Sequence, residues 1–277
     1  MTEITLLDGP LGTELNARGV VTDLPLWSAA AIETAADVIA AIHRDYANAG
    51  ATVHTANTFR TKRRTAGDDW ERMARKAVEI ARNAVPAAHR VAGSIAPLED
   101  CYRPDLSPGE DARGEHRELA EVLADAGCEL LLCETFPHVG EAIVAVAEAS
   151  RTGVETWVAL TAGPQANLLT PTAMAEGARR AVDIGANAVL VNCTPATDTL
   201  RFVEALACAK LGVPIGAYAN AGQPDENIGW QSATEPSGGV YVQLVRQWID
   251  AGATLVGGCC GTGPKHIAAI HAMLDRR

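Results

Sequence analysis

Short apolar runs alternate with helical patterns from one end of this chain to the other. In an early helical segment, Val38, Ile39, Ile42 and Tyr46 fall on one face, and Gly50 follows as a helix stop. Eight such units in 277 residues predict an α/β fold, a single (β/α)8 barrel over residues 1–277 with its site at the C-terminal strand ends. The chain carries no GxGxxG turn, which argues against a doubly wound sheet. The predicted strands are residues 4–7, 52–56, 91–95, 129–133, 156–160, 188–191, 214–218 and 254–256.

Four helix-to-strand junctions share one pattern, a glycine followed seven positions later by a polar residue where the apolar run stops. The glycines are Gly50, Gly127, Gly185 and Gly252, and the polar residues are Asn57, Glu134, Asn192 and Cys259. Because alternate strands of such a barrel place side chains in common layers, the equal offsets predict that these polar residues meet at the barrel mouth. The alternative is that glycine is simply frequent at αβ turns and that polar residues are frequent at strand ends.

Three cysteines fall at the predicted ends of strands six and eight, namely Cys193, Cys259 and Cys260. Since only one strand separates strands six and eight, these thiols are expected within reach of a shared ion. Three thiolates with one open position are typical of a catalytic zinc site. A vicinal disulfide or redox pair, and inert thiols, are the alternatives. The remaining cysteines are expected to be packing or incidental thiols: Cys101, Cys128, Cys133 and Cys208.

The acidic balance of the chain argues against a nucleic-acid partner, because its net charge is -11 and phosphate binding requires a basic face. Neither the N-terminal residues nor any later segment forms an apolar stretch of the length that a signal peptide or membrane span needs. We therefore expect a cytoplasmic protein without a membrane partner. One basic segment, residues 60–64, predicts a solvated loop, a site for substrate carboxylates or an interface. No feature of the sequence indicates an oligomeric state.

The predicted zinc site favours one kind of chemistry. Zinc with three thiolates is a net anionic complex, which suits a soft substrate thiol as fourth ligand better than it suits hydrolysis. Ionising a thiol with a reference pKa of about 8.5 contributes at most about 2 kcal/mol at neutral pH. Fixing its sulfur in line with an electrophilic carbon contributes on the order of 7 kcal/mol or more. We therefore expect transfer of a group to a positioned substrate thiol.

Five short motifs, taken in order, resemble the zinc-dependent homocysteine S-methyltransferase family over nearly the whole chain. They are DGPLGT at 8–13, PLWS at 25–28, Glu134-Thr135, Asn192-Cys193 and GGCCG at 257–261, which are similar to the family's DGxxGT, PLWS, ET, NC and GGCCG. The NC and GGCCG motifs together are the most specific of the five. The resemblance implies a barrel enzyme that transfers a methyl group to the thiol of homocysteine and gives methionine.

The resemblance also implies roles for individual residues. Cys193, Cys259 and Cys260 would bind Zn²⁺, and the sulfur of homocysteine would take the fourth place. Asp8 and Glu134 would hold the amino acid end of homocysteine, since carboxylates pair with its ammonium group. Backbone N–H groups near Gly9 would receive its carboxylate. The further candidate substrate-binding residues are Gly9, Thr13, Asn57, Asn192 and Asn220.

The partners expected from this resemblance are small molecules, homocysteine and a methyl donor. The compact length and the PLWS segment resemble the group that uses S-methylmethionine or S-adenosylmethionine, so we expect a cationic sulfonium donor. Residues 57–62 are more basic than the family's usual version, and residues 160–163 lack its usual Ser-Phe. Candidates to accompany a cationic donor are Trp27, Phe59, Tyr218 and Glu134. The alternatives are betaine or another onium donor, another thiol or selenol acceptor, and a non-catalytic zinc- or thiol-binding barrel.

Overall fold

Eight parallel strands form one sheet in the computed structural model, which describes residues 3–222, 224–225, 229–230 and 239–276. The strands are β1 Thr5–Leu6, β2 Val53–Thr55, β3 Arg90–Ile95, β4 Leu130–Phe136, β5 Thr156–Leu160, β6 Ala188–Pro195, β7 Ile215–Asn220 and β8 Leu255–Gly258. Strands β2 to β8 pair in chain order, and β1 pairs with β8. A bridge between Leu7 and Val53 joins the two edges of the sheet. The predicted (β/α)8 architecture is confirmed.

Helices cover the outside of the sheet. They are α1 Gly12–Ala17, α2 Ala31–Thr34, α3 Ala36–Asn48, α4 Arg63–Ala66, α5 Trp70–Ala84, α6 Arg113–Asp125, α7 Val139–Ser150, α8 Pro171–Asp183, α9 Ala196–Cys208, α10 Gly239–Asp250 and α11 Pro264–Leu274. After β7, a short antiparallel ribbon pairs Pro224–Asp225 with Gly229–Trp230. Within the described ranges, none of the helices has the length and apolar character needed to cross a membrane.

Local sequence signals explain where several helices begin. Thr170 precedes α8, and its hydroxyl accepts a hydrogen bond from the backbone N–H of Ala173 at 3.1 Å. Pro171 then occupies the first helical position, where the missing N–H costs nothing. His138 caps α7 in a similar way, because its Nδ1 accepts from the N–H of Glu141 at 3.1 Å. These caps start each helix immediately after a loop at the barrel mouth.

Side chains of each strand alternate between the barrel interior and the layer of helices. In β4, Leu130 and Leu132 belong to the interior cluster, whereas Leu131 and Cys133 pack against the helices. Both faces are buried, which is why the strands read as continuous apolar runs rather than as alternating patterns. The interior cluster continues upward to Cys193 and Cys259, so the candidate thiols form the top of the barrel core.

The strands β4 and β6 extend further than the predicted ends at residues 133 and 191. Their polar ends stay in the sheet, because Phe136 pairs with Leu160 and Pro195 pairs with Asn220 after an irregularity in each ladder. The irregularities include Thr135 and Cys193, whose φ angles are 63° and 48°. The ends were predicted too short because the apolar run stops before the hydrogen-bonded ladder does. A bulge of this kind redirects side chains at the end of a strand.

Candidate active site

A cavity of about 600 Å³ lies at the C-terminal ends of the strands, within the usual size range of small-molecule sites. Its wall is built from the turn after β1, the loops after β2 and β3, and the ends of β4, β6, β7 and β8. Five of the candidate residues line it together: Asp8, Glu134, Cys193, Cys259 and Cys260. The barrel thus brings segments from both ends of the chain to one cavity, as expected for this architecture.

The three thiols form a compact group in the cavity. The Sγ atoms of Cys193, Cys259 and Cys260 all lie within 4.8 Å of one another, and those of Cys193 and Cys259 are 2.7 Å apart. Cys193 reaches this position through its left-handed backbone conformation at the bulge of β6. On β8, a Cβ at Gly258 would lie 2.2 Å from Oγ1 of Thr262, so only glycine allows this tight turn. Local backbone geometry on two strands therefore sets the thiol positions.

The pKa values of the three thiols indicate which kind of ion they can bind. Hydrogen bonds that Cys259 donates to the other two sulfurs, together with burial, raise the pKa of Cys259. Hydrogen bonds that Cys260 accepts from Cys193 and Cys259 hold the pKa of Cys260 well below its usual value. One thiolate is thus stabilised by two thiols, whereas three thiolates so close together would repel one another without a cation.

This donor set fits a soft divalent ion. A tetrahedral ion with Zn–S bonds of about 2.3 Å requires sulfurs about 3.8 Å apart, so the sulfurs of Cys193 and Cys259 would separate by about 1 Å. Cys260, which is partly exposed, faces the cavity and leaves the group open on that side. The three cysteines can therefore form a metal site with one position accessible to a substrate.

Two buried carboxylates share the cavity with the thiols. Asp8 follows β1 and accepts a hydrogen bond from the N–H of Thr55 at 2.8 Å. Glu134 lies on β4 and accepts from the hydroxyl of Tyr218 at 2.9 Å and from that of Ser94. Burial raises the pKa of Asp8 well above its usual value, and the charge of Glu134 raises it further. Burial likewise raises the pKa of Glu134 to about 7.

These carboxylates lack a cationic partner, since no ion pair to either one occurs among the described residues. Burial disfavours the charged form of each carboxylate, and the charge of Glu134 disfavours that of Asp8 further. A ligand with a positive charge would relieve both effects. The cavity accordingly combines a site for a cation with a site for a soft ligand.

Residues 5–274 match the family model described as homocysteine S-methyltransferase. The chain belongs to the homocysteine S-methyltransferase family. It is thus an enzyme of the methyltransferase class, as the five motifs predict, and the alternative of a non-catalytic barrel is not supported. It is 30% identical to homocysteine S-methyltransferase 2 of Zea mays, over 98% of this chain and 90% of the maize protein.

Two further relatives extend the comparison. The chain is 30% identical to selenocysteine Se-methyltransferase of Brassica oleracea var. italica, over 98% of this chain and 89% of that protein. The crystal structure of the homocysteine methyltransferase MmuM from Escherichia coli in its metallated form is similar at a TM-score of 0.81 and 27% identity. That match covers 98% of this chain and 96% of the other.

Two more of the predicted residues line the cavity of this homocysteine S-methyltransferase family member, Gly9 and Asn57. A Cβ at Gly9 would lie 2.6 Å from the hydroxyl of Tyr46, so the residue must be glycine for the turn to pack. Asn57 is held by Ser28, since its Nδ2 donates to the Ser28 carbonyl and its Oδ1 accepts from the Ser28 hydroxyl, both at 2.8 Å.

The other three predicted residues, Thr13, Asn192 and Asn220, are buried and do not line the cavity. The Thr13 hydroxyl accepts a hydrogen bond from the N–H of Gly261 at 3.2 Å, beside the two cysteines that follow β8. Asn192 donates to the hydroxyl of Thr135 at 2.7 Å and accepts from its N–H at 3.2 Å. Both amide atoms of Asn220 are buried and have no hydrogen-bond partner among the residues that the structure describes. Thr13 and Asn192 thus support the backbone on which the thiols and Glu134 lie.

Several residues of the site were not predicted from the sequence. Ser94 hydrogen-bonds Glu134, and Cys101 and Tyr102 from the loop after β3 line the cavity. Ser94 could have been predicted as a site residue, because it is a polar residue near the end of an otherwise apolar strand. For Cys101 and Tyr102 no signal was available, because a loop sequence does not indicate where the loop folds. Cys128 and Cys133 are buried and Cys208 is exposed, as expected of packing or incidental thiols.

Proposed function

We propose that this enzyme catalyses the zinc-dependent transfer of a methyl group from a sulfonium donor to the thiol of homocysteine, giving methionine. The donor would be S-methylmethionine or S-adenosylmethionine. One observation carries the proposal: three clustered thiols line the same cavity as two carboxylates that pair with no cation among the described residues. Homocysteine carries the two complementary groups, a thiol and an ammonium, on one short chain.

The acceptor would bind through its two ends. Its ammonium group would pair with Asp8 and Glu134, which offsets the cost of burying these carboxylates. Cys193, Cys259 and Cys260 would hold zinc, which when bound supplies a positive centre that ionises and positions the homocysteine thiol. The thiol proton is lost to solvent on binding. Orientation of the sulfur would contribute most to the rate, as argued above for a positioned thiol.

The transfer itself is a direct displacement without oxidation or reduction. A lone pair of the homocysteine sulfur forms the new carbon–sulfur bond, and the donor S–CH3 bond breaks with its electron pair left on the donor sulfur. The donor therefore leaves as a neutral thioether, and no general base is required during the transfer. The aromatic rings of Trp27 and Phe59, which line the cavity with centroids 6.0 Å apart, are suited to contact a cationic sulfonium.

A selenol acceptor is the second candidate, because the selenocysteine Se-methyltransferase of Brassica oleracea var. italica is similar over 98% of this chain. Selenocysteine differs from homocysteine in side-chain length as well as in the reacting atom. Competition between the two acceptors for one donor, measured as the ratio of kcat/KM values, decides between them. We expect the ratio to favour homocysteine.

The function is tested with zinc-loaded protein, homocysteine and a panel of methyl donors, with methionine measured by mass spectrometry. We expect methionine from a sulfonium donor and none from betaine. In Glu134→Gln, the KM for homocysteine should rise by about 30-fold or more, because a buried charged hydrogen bond to the ammonium is lost. Glu79→Gln, at an exposed position on α5, is the matched control and should leave the KM unchanged. Absence of methionine with every sulfonium donor would contradict the proposal.

A further inference from the structure

The basic segment at residues 60–64 contains one cation that differs from the others. Lys62 donates a hydrogen bond to the carbonyl of Pro97. Arg63 pairs with Glu118 at 3.1 Å, and Arg64 pairs with two glutamates on the neighbouring loop and helix. Arg60 makes no hydrogen bond or ion pair with any residue that the structure describes, and its buried Nε has no partner.

Arg60 lies on the wall of the cavity, not on the outer surface of the loop. It lines the same cavity as the thiols, together with Phe59 and Trp27. Its guanidinium carbon is 5.9 Å from the centroid of the Phe59 ring, and Phe59 packs edge-on against Trp27. The guanidinium is therefore held beside the aromatic pair and is partly buried there.

The charge of Arg60 is unusual for its surroundings. The other charged side chains that line the cavity are the carboxylates of Asp8, Asp100 and Glu134, and Arg60 pairs with none of them. A partly buried guanidinium without an acceptor is unfavourable until a ligand supplies one. Its planar donors match a carboxylate, which accepts two parallel hydrogen bonds. The cavity thus offers a second ligand site, which favours an anionic group, whereas Asp8 and Glu134 favour a cationic one.

Two substrates of the proposed reaction carry a carboxylate, and the structure distinguishes between them. Homocysteine would be bound at its thiol by the cysteine group and at its amino acid end by Asp8, Glu134 and the turn at Gly9. Arg60 lies with Trp27 and Phe59, the rings assigned above to the sulfonium donor. A carboxylate at Arg60 would also direct the positive sulfur away from the guanidinium, because like charges repel.

We propose that Arg60 binds the α-carboxylate of the methyl donor and thereby favours donors that carry a carboxylate over sulfonium compounds that lack one. This inference rests on the proposed function, in which the donor is a sulfonium. Arg60 acts as a specificity-determining residue that orients the donor, and it takes no part in the transfer of the methyl group. It explains why the loop at residues 57–62 is basic in a cavity that otherwise carries acidic groups.

The test compares S-methylmethionine with its carboxamide, which keeps the sulfonium and the ammonium but lacks the carboxylate. Wild-type enzyme should prefer the carboxylate form in kcat/KM by about 10- to 100-fold. In Arg60→Gln this preference should fall to about threefold or less, with the KM for homocysteine changed by less than about twofold. Arg60→Lys should retain part of the preference. Arg63→Gln, which removes a neighbouring charge outside the cavity, should retain all of it.

Binding measurements separate this inference from the proposed function. Calorimetric titration of S-methylmethionine into zinc-loaded wild type, Arg60→Gln and Arg60→Lys reports donor affinity without turnover. Donor affinity that depends on Arg60 supports the inference even if no methionine forms. The absence of methionine would overturn only the proposed donor. Equal affinity in wild type and Arg60→Gln, or no binding to wild type, overturns the inference. An increase in the KM for homocysteine in Arg60→Gln that is as large as the increase in the KM for the donor also overturns the inference.

Discussion

Thr135 and Cys193 are non-glycine residues with positive φ angles, and each lies at the irregular end of a strand that supplies the site. Such conformations cost on the order of 1–3 kcal/mol each and persist only where neighbours enforce them. Asn192 holds Thr135 in this conformation by hydrogen bonding both its N–H and its hydroxyl. These backbone conformations accompany the placement of Glu134 and the Cys193 thiol on one cavity.

Replacement of a single thiol should remove the proposed zinc. Cys193→Ser substitutes a harder, weakly acidic hydroxyl for one of three sulfur ligands, so we expect the bound zinc to fall to less than about a tenth of one equivalent. Elemental analysis after gel filtration measures this. Cys208→Ser, at an exposed position, is the control and should keep full occupancy. One full equivalent of zinc in Cys193→Ser would show that the metal site has been assigned to the wrong residues.

At the scale of elements, two loops cover the barrel mouth and are joined through a buried lysine. Lys62 follows β2 and is 1% exposed, and its ammonium donates to the carbonyl of Pro97 after β3. Burial, with a smaller effect of Arg60, lowers the pKa of Lys62 to about 7. The loop that carries Arg60 is therefore fixed to the loop that carries Cys101 and Tyr102.

The buried lysine predicts a specific pH dependence of stability. Because its pKa is about 7 in the folded protein and 10.5 otherwise, the unfolded chain binds more protons between these values. The contribution of Lys62 to the free energy of unfolding should therefore rise from pH 7 to pH 10.5, by on the order of 5 kcal/mol at most. Lys62→Met should lack this rise. Urea unfolding of both proteins at several pH values measures the difference, and parallel profiles would contradict the assignment.

The whole molecule depends on the seam where the first and last strands meet. There β1 pairs with β8, and the seam places Asp8 on the same cavity as the two thiols that follow β8. The N–H of Gly258 donates to the carbonyl of Asp8 at 3.0 Å. A Cβ at Gly257 would lie 2.8 Å from Cβ of Leu7 and 3.0 Å from the carbonyl oxygen of Asp8. Closure of the barrel and assembly of the cavity thus depend on the same contact.

Gly257→Ala should therefore affect stability and substrate binding together. Separating β1 from β8 to admit one methyl group should cost about 1–3 kcal/mol of unfolding free energy and raise the KM for homocysteine. Urea unfolding and steady-state kinetics measure the two effects. Gly114→Ala on α6 is the control, because a Cβ there would meet nothing within 4 Å. A variant with a normal KM but reduced stability would mean that the seam does not position Asp8.

Several features of the site follow from the sequence alone, and particular residues show which features do not. The seven-residue offsets correctly placed Asn57, Glu134 and Cys259 on the cavity, because the register of a strand relates position in sequence directly to height in the barrel. The same offset placed Asn192 at the mouth, where its side chain instead binds Thr135. The bulge in β6 changes the direction of side chains at that point, and no apolar periodicity reports a bulge.

By itself, the sequence determined the barrel, the family and the three cysteines that lie together, because periodicity and short motifs are local properties of the chain. Only the tertiary structure decided which of the basic residues after β2 are paired. Arg63 meets Glu118 and Arg64 meets Glu115 across more than fifty positions of sequence, whereas Arg60 lines the cavity and meets no acid in the described part of the chain. The physical reason is that ion pairs form between loops that the barrel places side by side, and their separation along the chain carries no signal of that placement.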